Sequence, residues 1–105
     1  MNLAIIPARY GSKGLPRKNV SLIGDKPMIQ YSIEAALQSK YFEDLVVSTD
    51  DMEVKKISSE LGVPKIFHRG SRLSQDDTSM VEVVVDVLEK YKKKKGEFPE
   101  TFVLL

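Results

Sequence analysis

The 105-residue chain has no cysteine, a single histidine and no apolar run long enough to cross a membrane. Without cysteine, neither a disulfide framework nor a thiolate metal site can form, which is compatible with a reducing compartment. A transmembrane helix needs about 20 consecutive apolar residues, and the start lacks the basic segment and long apolar core of a signal peptide. These absences predict a soluble, cytoplasmic protein without membrane attachment.

Acidic residues are also missing from the first part of the chain, where no Asp or Glu precedes Asp25. The formal net charge is only +1, so no global field draws the chain to nucleic acid. Residues 8–19, which we name the cationic loop, nevertheless hold four cations: Arg9, Lys13, Arg17 and Lys18. Because no carboxylate in that segment neutralises them, the sequence predicts a local anion site.

Short apolar segments alternate with longer amphipathic ones, a pattern typical of a parallel sheet with helices packed on both faces. Strands are predicted at residues 3–7, 45–48, 64–68 and 101–105, with a short extended piece at 20–23. Helices are predicted from Pro27 to about Ser39, from Asp50 to near Gly62, and from Thr78 or Ser79 to the lysine run 92–95. The predicted fold class is α/β: three α/β/α layers around a mostly parallel, Rossmann-like sheet.

Two helix starts carry capping signals. Asp50 is predicted to cap the second helix, with Glu53 in capping-box position, and Ser79 with Glu82 forms a second box. The apolar face of the third helix is assigned to Val81, Val84, Val85, Leu88 and Tyr91. Its β-branched run would also suit a strand, but the caps and the length favour a helix.

The cationic loop has the composition of a phosphate site. Glycines let the backbone turn sharply and bring N–H groups close to a ligand. Arginine offers a planar fork of donors to phosphate oxygens, and lysine offers a mobile point charge. Neither the Walker A spacing nor the dinucleotide fingerprint is present. The loop therefore predicts a polyphosphate site after the first strand; the alternative is a basic surface loop without ligand.

The same loop resembles the opening motif of the acylneuraminate cytidylyltransferases, the CMP-sialic acid synthetases, in the string Ala8-Arg9-Tyr10-Gly11-Ser12-Lys13-Gly14-Leu15-Pro16-Arg17-Lys18-Asn19. The resemblance implies the nucleotide-diphospho-sugar transferase fold, with residues 1–105 as the N-terminal nucleotide-binding part of an apparently truncated domain. The implied reaction joins CTP to a nine-carbon 2-keto sugar acid. The anomeric hydroxyl attacks the α-phosphorus, pyrophosphate leaves and a CMP-sugar forms.

The resemblance also implies site residues. Arg9 and Lys18 match positions expected to contact the triphosphate, and they are the predicted catalytic residues. The implied nucleotide-binding set is Ala8, Arg9, Gly11, Ser12, Lys13, Lys18, Asn19, Arg69 and Ser79. Three of these have alternative roles, namely a turn for Asn19, a surface salt bridge for Arg69 and a helix cap for Ser79. A cap is compatible with anion binding, because a helix N-terminus attracts anions.

Mg²⁺ is the implied cofactor, with its protein ligands outside this chain. The pairs Asp50-Asp51 and Asp76-Asp77 are assigned to caps and a loop rather than to a metal, and His68 to a structural role. The implied partners are CTP and the sugar acid, with a possible homodimer in the full-length enzyme. The lysine run 92–95 suits a helix C-terminus and lacks the interleaved aromatics of a nucleic-acid site.

Other functions stay open from the sequence. The 3-deoxy-manno-octulosonate cytidylyltransferases open with a similar string but typically continue Thr-Arg-Leu-Pro-Gly-Lys-Pro. Residues 13–19 here favour the acylneuraminate branch, whereas Tyr10 favours the other. A non-catalytic CTP-binding fragment would keep the phosphate site and lack the sugar site. An RNA-binding role would predict binding that weakens steeply with salt.

Overall fold

The computed structural model describes residues 2–11, 17–75 and 77–105, and these form one parallel four-stranded sheet and one small hairpin. The strands are β1 (Asn2–Ala8), β2 (Leu22–Ile23), β3 (Lys26–Pro27), β4 (Asp44–Thr49), β5 (Lys65–His68) and β6 (Thr101–Leu104). The helices are α1 (Met28–Gln38), α2 (Met52–Glu60) and α3 (Met80–Lys95). The main sheet has the order β5-β4-β1-β6, and the hairpin pairs β2 with β3.

Strand β1 lies inside the sheet because its side chains are apolar on both faces. Ala4 and Ile6 belong to one core cluster with residues of α1 and α2, whereas Leu3 and Ile5 belong to a second cluster with residues of α3. Neighbouring residues of a strand point to opposite faces, so a continuous apolar run requires cover on both. Helices therefore lie on each side of the sheet, and the predicted three-layer α/β/α fold is confirmed.

The predicted cap of α2 is wrong by one residue. Asp51, not Asp50, caps the helix, and its Oδ1 accepts a hydrogen bond from the Glu53 backbone N–H at 2.9 Å. The reason is that β4 continues to Thr49, so the helix begins only at Met52. Asp50 accepts a hydrogen bond from the Tyr10 backbone N–H at 2.7 Å instead. This contact ties the start of the cationic loop to the region before α2.

The predicted start of α3 is confirmed, but its predicted apolar face is partly wrong. The capping box is complete, with the Glu82 N–H donating to Ser79 Oγ at 3.2 Å and the Ser79 N–H donating to Glu82 Oε2 at 3.0 Å. The stripe fully buried against the sheet is Val83, Val87 and Tyr91, with Leu88 beside it, whereas Val81 is 71% exposed and Val85 is 45% exposed. Valines occur all around this helix, so the sequence pattern did not identify the buried side.

The segment before α1 also differs from its prediction. Residues 18–20 form a 3-10 turn, and the extended piece is limited to β2, which pairs with β3 around Gly24. Gly24 has a φ of +68°, a conformation that favours glycine. This arrangement brings the end of the cationic loop against the N-terminus of α1.

The amino-terminal ends of β4 and β5 carry a closed polar network. Lys65 Nζ donates to Asp44 Oδ2 at 2.6 Å, and the Tyr91 hydroxyl donates to the same oxygen at 3.1 Å. The Lys65 and Asp44 side chains are only 17% and 9% exposed, and Tyr91 is buried. Burial, together with the Asp44 carboxylate, raises the pKa of Tyr91 to about 12. The network joins two strands to α3.

No helix among the described ranges is long and apolar enough to cross a lipid bilayer.

Candidate functional site

A cleft of about 410 Å³ opens at the carboxyl-terminal ends of the strands. Its polar lining comes from three separate segments: Arg9 follows β1, Lys18 and Asn19 lie in the 3-10 turn, and Arg69 follows β5. The structure thus brings together four of the residues predicted for the site. The volume lies in the range of small-molecule sites, and the position matches the usual ligand crevice of open α/β sheets.

Arg69 is the most informative residue of the cleft because it is a buried cation, only 4% exposed. Its backbone N–H donates to the Thr49 carbonyl at 2.9 Å, and its Nε donates to the Leu73 carbonyl at 2.6 Å. Among the described residues, none accepts a hydrogen bond from its two terminal nitrogens. A buried charge is costly unless it is paired, so this geometry favours a ligand that supplies acceptors.

The surface salt bridge considered for Arg69 is therefore not formed with any described residue. Burial lowers the pKa of Arg69, an effect that Asp50 opposes and that Arg9 reinforces. Arginine stays charged at neutral pH even so, since its ordinary pKa is above 12. Arg9 and Arg69 are therefore close enough to influence each other, and Asp50 lies close enough to oppose part of their charge.

Asn19 links the two arms of the cationic loop. Its side-chain Nδ2 donates to the Arg9 backbone carbonyl at 3.3 Å. The contact fixes the arm that leaves β1 against the 3-10 turn that carries Lys18. Asn19 also lines the cleft. Its predicted structural role in the turn is therefore compatible with its predicted role in binding.

One cation of the loop is neutralised by carboxylates that lie outside the loop in sequence. Arg17 Nη2 lies 3.0 Å from Asp51 Oδ2 and 3.1 Å from Glu53 Oε2. Burial acts to lower the pKa of Arg17, but Asp51 and then Tyr10 act the other way and raise it overall. Both carboxylates come from α2 and its cap, far along the chain, so the composition of the loop does not reveal these pairs.

The remaining predicted residues are placed less directly. Ala8 is buried in the core, so only its backbone can reach a ligand. Gly11 is exposed, and a Cβ added there meets nothing within 4 Å, so packing does not require a glycine. Ser79 is occupied as the cap of α3, and the cleft is lined by the next residue, Met80. Ser12 and Lys13 lie outside the described residues.

Sequence reasoning missed the apolar wall of the cleft. This wall comes mainly from the first turns of α1 and from α3, with Met28, Ile29 and Met80 as its main side chains. Ser32 adds a hydroxyl from α1. The cap at Ser79 could have indicated that the next residue, Met80, lies near the cleft. Nothing in the sequence indicated that α1 lines it.

The carboxylates near the cleft do not fit a metal site. Asp50 accepts from Tyr10, and Asp51 is both cap and partner of Arg17. Within residues 2–11, 17–75 and 77–105, no group of three or more His, Cys, Asp or Glu side chains could hold a metal ion. His68 lies outside the cleft lining, with its Nδ1 2.9 Å from Lys55 Nζ. Asp76 is outside the described residues.

A parallel sheet with a cationic cleft at its carboxyl edge has the arrangement in which open α/β proteins bind their ligands. The family model described as cytidylyltransferase matches residues 3–101, and the chain belongs to that family. The fold matches a solved structure of CMP:2-keto-3-deoxy-manno-octonic acid synthetase complexed with CTP. The TM-score is 0.76 and the identity 32%, over 99% of this chain and 39% of the other.

Curated relatives activate several acidic sugars, according to their names. The chain is 38% identical to the CMP-N,N'-diacetyllegionaminic acid synthase of Legionella pneumophila, over 97% of this chain and 44% of that protein. It is 46% identical to the pseudaminic acid cytidylyltransferase of Campylobacter jejuni, over 84% and 38%. It is 43% identical to the N-acylneuraminate cytidylyltransferase of Escherichia coli, over 85% and 21%. The family membership predicted from the resemblance is confirmed. The chain spans less than half the length of these relatives.

Proposed function

We propose that this chain is the N-terminal, nucleotide-binding part of a cytidylyltransferase that transfers CMP from CTP to a nine-carbon 2-keto acid of sialic type. The observation that supports the proposal most is Arg69, a buried guanidinium that lines the cleft with donors unused by the described residues. The family match and the names of the relatives support CTP and an acidic sugar as the substrates.

The proposed chemistry needs positioned cations rather than a covalent intermediate. As the sugar hydroxyl attacks the α-phosphorus, negative charge develops on the oxygens of the departing pyrophosphate. Arg9 and Lys18 are the proposed catalytic residues because they line the same cleft and carry charge that opposes this build-up. Asn19 offers an amide that can both donate and accept, which suits contact with the ribose or base.

Mg²⁺ remains the proposed cofactor by family resemblance, but the described carboxylates do not fit it and no step is assigned to it. The other proposed features are a cytoplasmic location and a homodimer of the full-length enzyme.

A second candidate substrate is 3-deoxy-manno-octulosonate. Two observations favour it: the solved structure similar to this chain, and the tyrosine at position 10, which that branch shares. The three named relatives above act instead on legionaminic, pseudaminic and acylneuraminic acids, which keeps the sialic type as the main proposal.

The test is calorimetric titration of the protein with CTP, UTP, ATP and GTP in the presence of Mg²⁺. We expect a clear preference for CTP. The control is a Lys56→Ala variant, altered on the exposed face of α2, which should bind CTP like wild type. Pyrophosphate release with sialic-type acids and with 3-deoxy-manno-octulosonate then identifies the acceptor. CTP binding without turnover of any acid supports the non-catalytic alternative, and a folded protein that binds no nucleotide contradicts the proposal.

A further inference from the structure

Arg17 has a backbone conformation that arginine rarely adopts. Its φ is 55° and its ψ is 35°, and it is the one non-glycine residue with positive φ in the described ranges. The left-handed region is unfavourable for a side chain with a Cβ and persists where surrounding contacts enforce it. The side chain of Arg17 supplies such contacts.

The Arg17 guanidinium is held on two sides. Nη2 donates to both oxygens of Asp51, at 3.1 and 3.0 Å, and to Glu53 Oε2 at 3.1 Å. Its Cζ lies 4.2 Å from the centre of the Tyr10 ring. Asp51 is only 2% exposed and is itself fixed as the cap of α2. A buried, fixed carboxylate is a rigid anchor for a cation.

The other arm of the cationic loop ends at the same place. The Tyr10 backbone N–H donates to Asp50 at 2.7 Å, directly before the anchor of Arg17. The two arms are thus joined to each other by the Tyr10–Arg17 stack and to the start of α2 by two aspartates. We name these four residues, Tyr10, Arg17, Asp50 and Asp51, the loop clasp.

The clasp lies beside two residues of the cleft. Lys18 and Asn19 follow Arg17 directly, and the Arg17 carbonyl accepts hydrogen bonds from Val20 N at 3.2 Å and Ser21 Oγ at 3.0 Å. The direction in which the chain leaves Arg17 therefore fixes where the 3-10 turn lies. Arg17 itself is absent from the cleft lining.

We propose that Arg17 and Asp51 form a positioning pair for CTP: Arg17 does not hold the triphosphate, but its ion pair with Asp51 fixes Lys18 and Asn19 in the cleft. The inference rests on the proposed function. The two neighbouring cations of the loop thus have different roles. Arg17 anchors the backbone, and Lys18 faces the ligand.

The chain allows each half of the pair to be removed with little other damage. Arg17→Asn removes the charge and keeps a residue that tolerates positive φ. Asp51→Asn removes the charge and keeps a side chain that caps helices about as well as aspartate. Lys56→Ala, on the exposed face of α2, is the control. The readouts are the dissociation constants for CTP and CMP and the melting temperature, in both single variants and the double variant.

We expect each single variant to bind CTP about tenfold more weakly, with a smaller loss for CMP, and the double variant to bind no more weakly than the singles. Wild-type binding of CTP by Asp51→Asn would overturn the inference, as would equal losses for CTP and CMP or additive losses in the double variant. If wild type itself binds no CTP, the proposed function fails instead. If Asp51→Asn does not fold, the CTP-to-CMP ratio of Arg17→Asn decides alone.

Discussion

The two ends of the sheet use charge in opposite ways. At the amino-terminal end, Lys65 and Tyr91 both donate to Asp44, and the group is closed within the fold. At the carboxyl-terminal end, Lys18 and Arg69 line the cleft, and neither forms an ion pair with a described carboxylate. The amino-terminal group is satisfied internally. At the carboxyl-terminal end Arg17 is paired with Asp51, but Lys18 and Arg69 keep donors available for an anion.

Under the proposed function, the difference reflects stability that the fold gives up for anion binding. Cations gathered in a cleft repel one another and gain little until an anion arrives, whereas the closed network stabilises the folded chain directly. We therefore expect substitutions at the amino-terminal end to change stability, and substitutions at the carboxyl-terminal end to change CTP affinity.

The largest expected effect is at the amino-terminal end. Asp44→Ala should lower the free energy of unfolding by about 3 kcal/mol, because it leaves the largely buried Lys65 without its anion and Tyr91 without its acceptor. Urea denaturation measures this loss. CTP affinity of the folded variant should match wild type, and a loss below about 1 kcal/mol would contradict the role given to the network.

At the carboxyl-terminal end, Arg69→Ala should weaken CTP binding by about 2 kcal/mol, the scale of a charged hydrogen bond, or roughly 30-fold. Arg9→Ala should weaken it by more than about 1.5 kcal/mol for the same reason. Titration calorimetry checks both. Arg72→Ala, on an exposed neighbour of Arg69, is the matched control and should bind CTP normally. Unchanged affinity in Arg69→Ala would remove that residue from the site.

The cap of α3 is expected to affect stability, and it also lies next to a residue that lines the cleft. Ser79→Ala should lower the free energy of unfolding by about 1 kcal/mol, because the Glu82 N–H loses its acceptor. Ser79→Thr keeps a capping hydroxyl and should recover most of the loss in a thermal melt. CTP titration of the alanine variant shows whether the hydroxyl also contacts the nucleotide, as the family resemblance implies.

The last expected effect is a pH dependence at the amino-terminal end. The pKa of Tyr91 is about 12 in the folded protein, against about 10 for an unperturbed tyrosine. As the pH rises above 10, the unfolded chain loses this proton first, so stability should fall towards pH 12. Stability curves of wild type and Tyr91→Phe should converge over that range, and parallel curves would contradict the shift.

Much of the fold could be predicted from the sequence because its signals are local. Apolar runs placed the four strands of the main sheet, and Ser79 with Glu82 placed the start of α3. The cationic loop could be identified as a candidate phosphate site because its four cations lie close together in the sequence. Arg69 came from the family resemblance, since a single arginine after a short strand carries no pattern.

The failures have a common cause, which is contact between distant residues. Strand β4 ends one residue later than predicted, and the cap of α2 is therefore Asp51 rather than Asp50. The pairing of Arg17 with Asp51 joins residues 34 positions apart, which no local count of charges reveals. The buried side of α3 is chosen by the sheet beneath it, because valine occurs on every side of that helix.

The most direct test of the comparison is an ¹H–¹⁵N spectrum of the protein titrated with CTP. We predict that the amide signals of Arg9, Lys18, Asn19 and Arg69 shift, while those of Asp44, Lys65 and Tyr91 stay in place. Shifts centred on the amino-terminal end, or equal shifts at both ends, would contradict the claim that the carboxyl-terminal cleft is the nucleotide site.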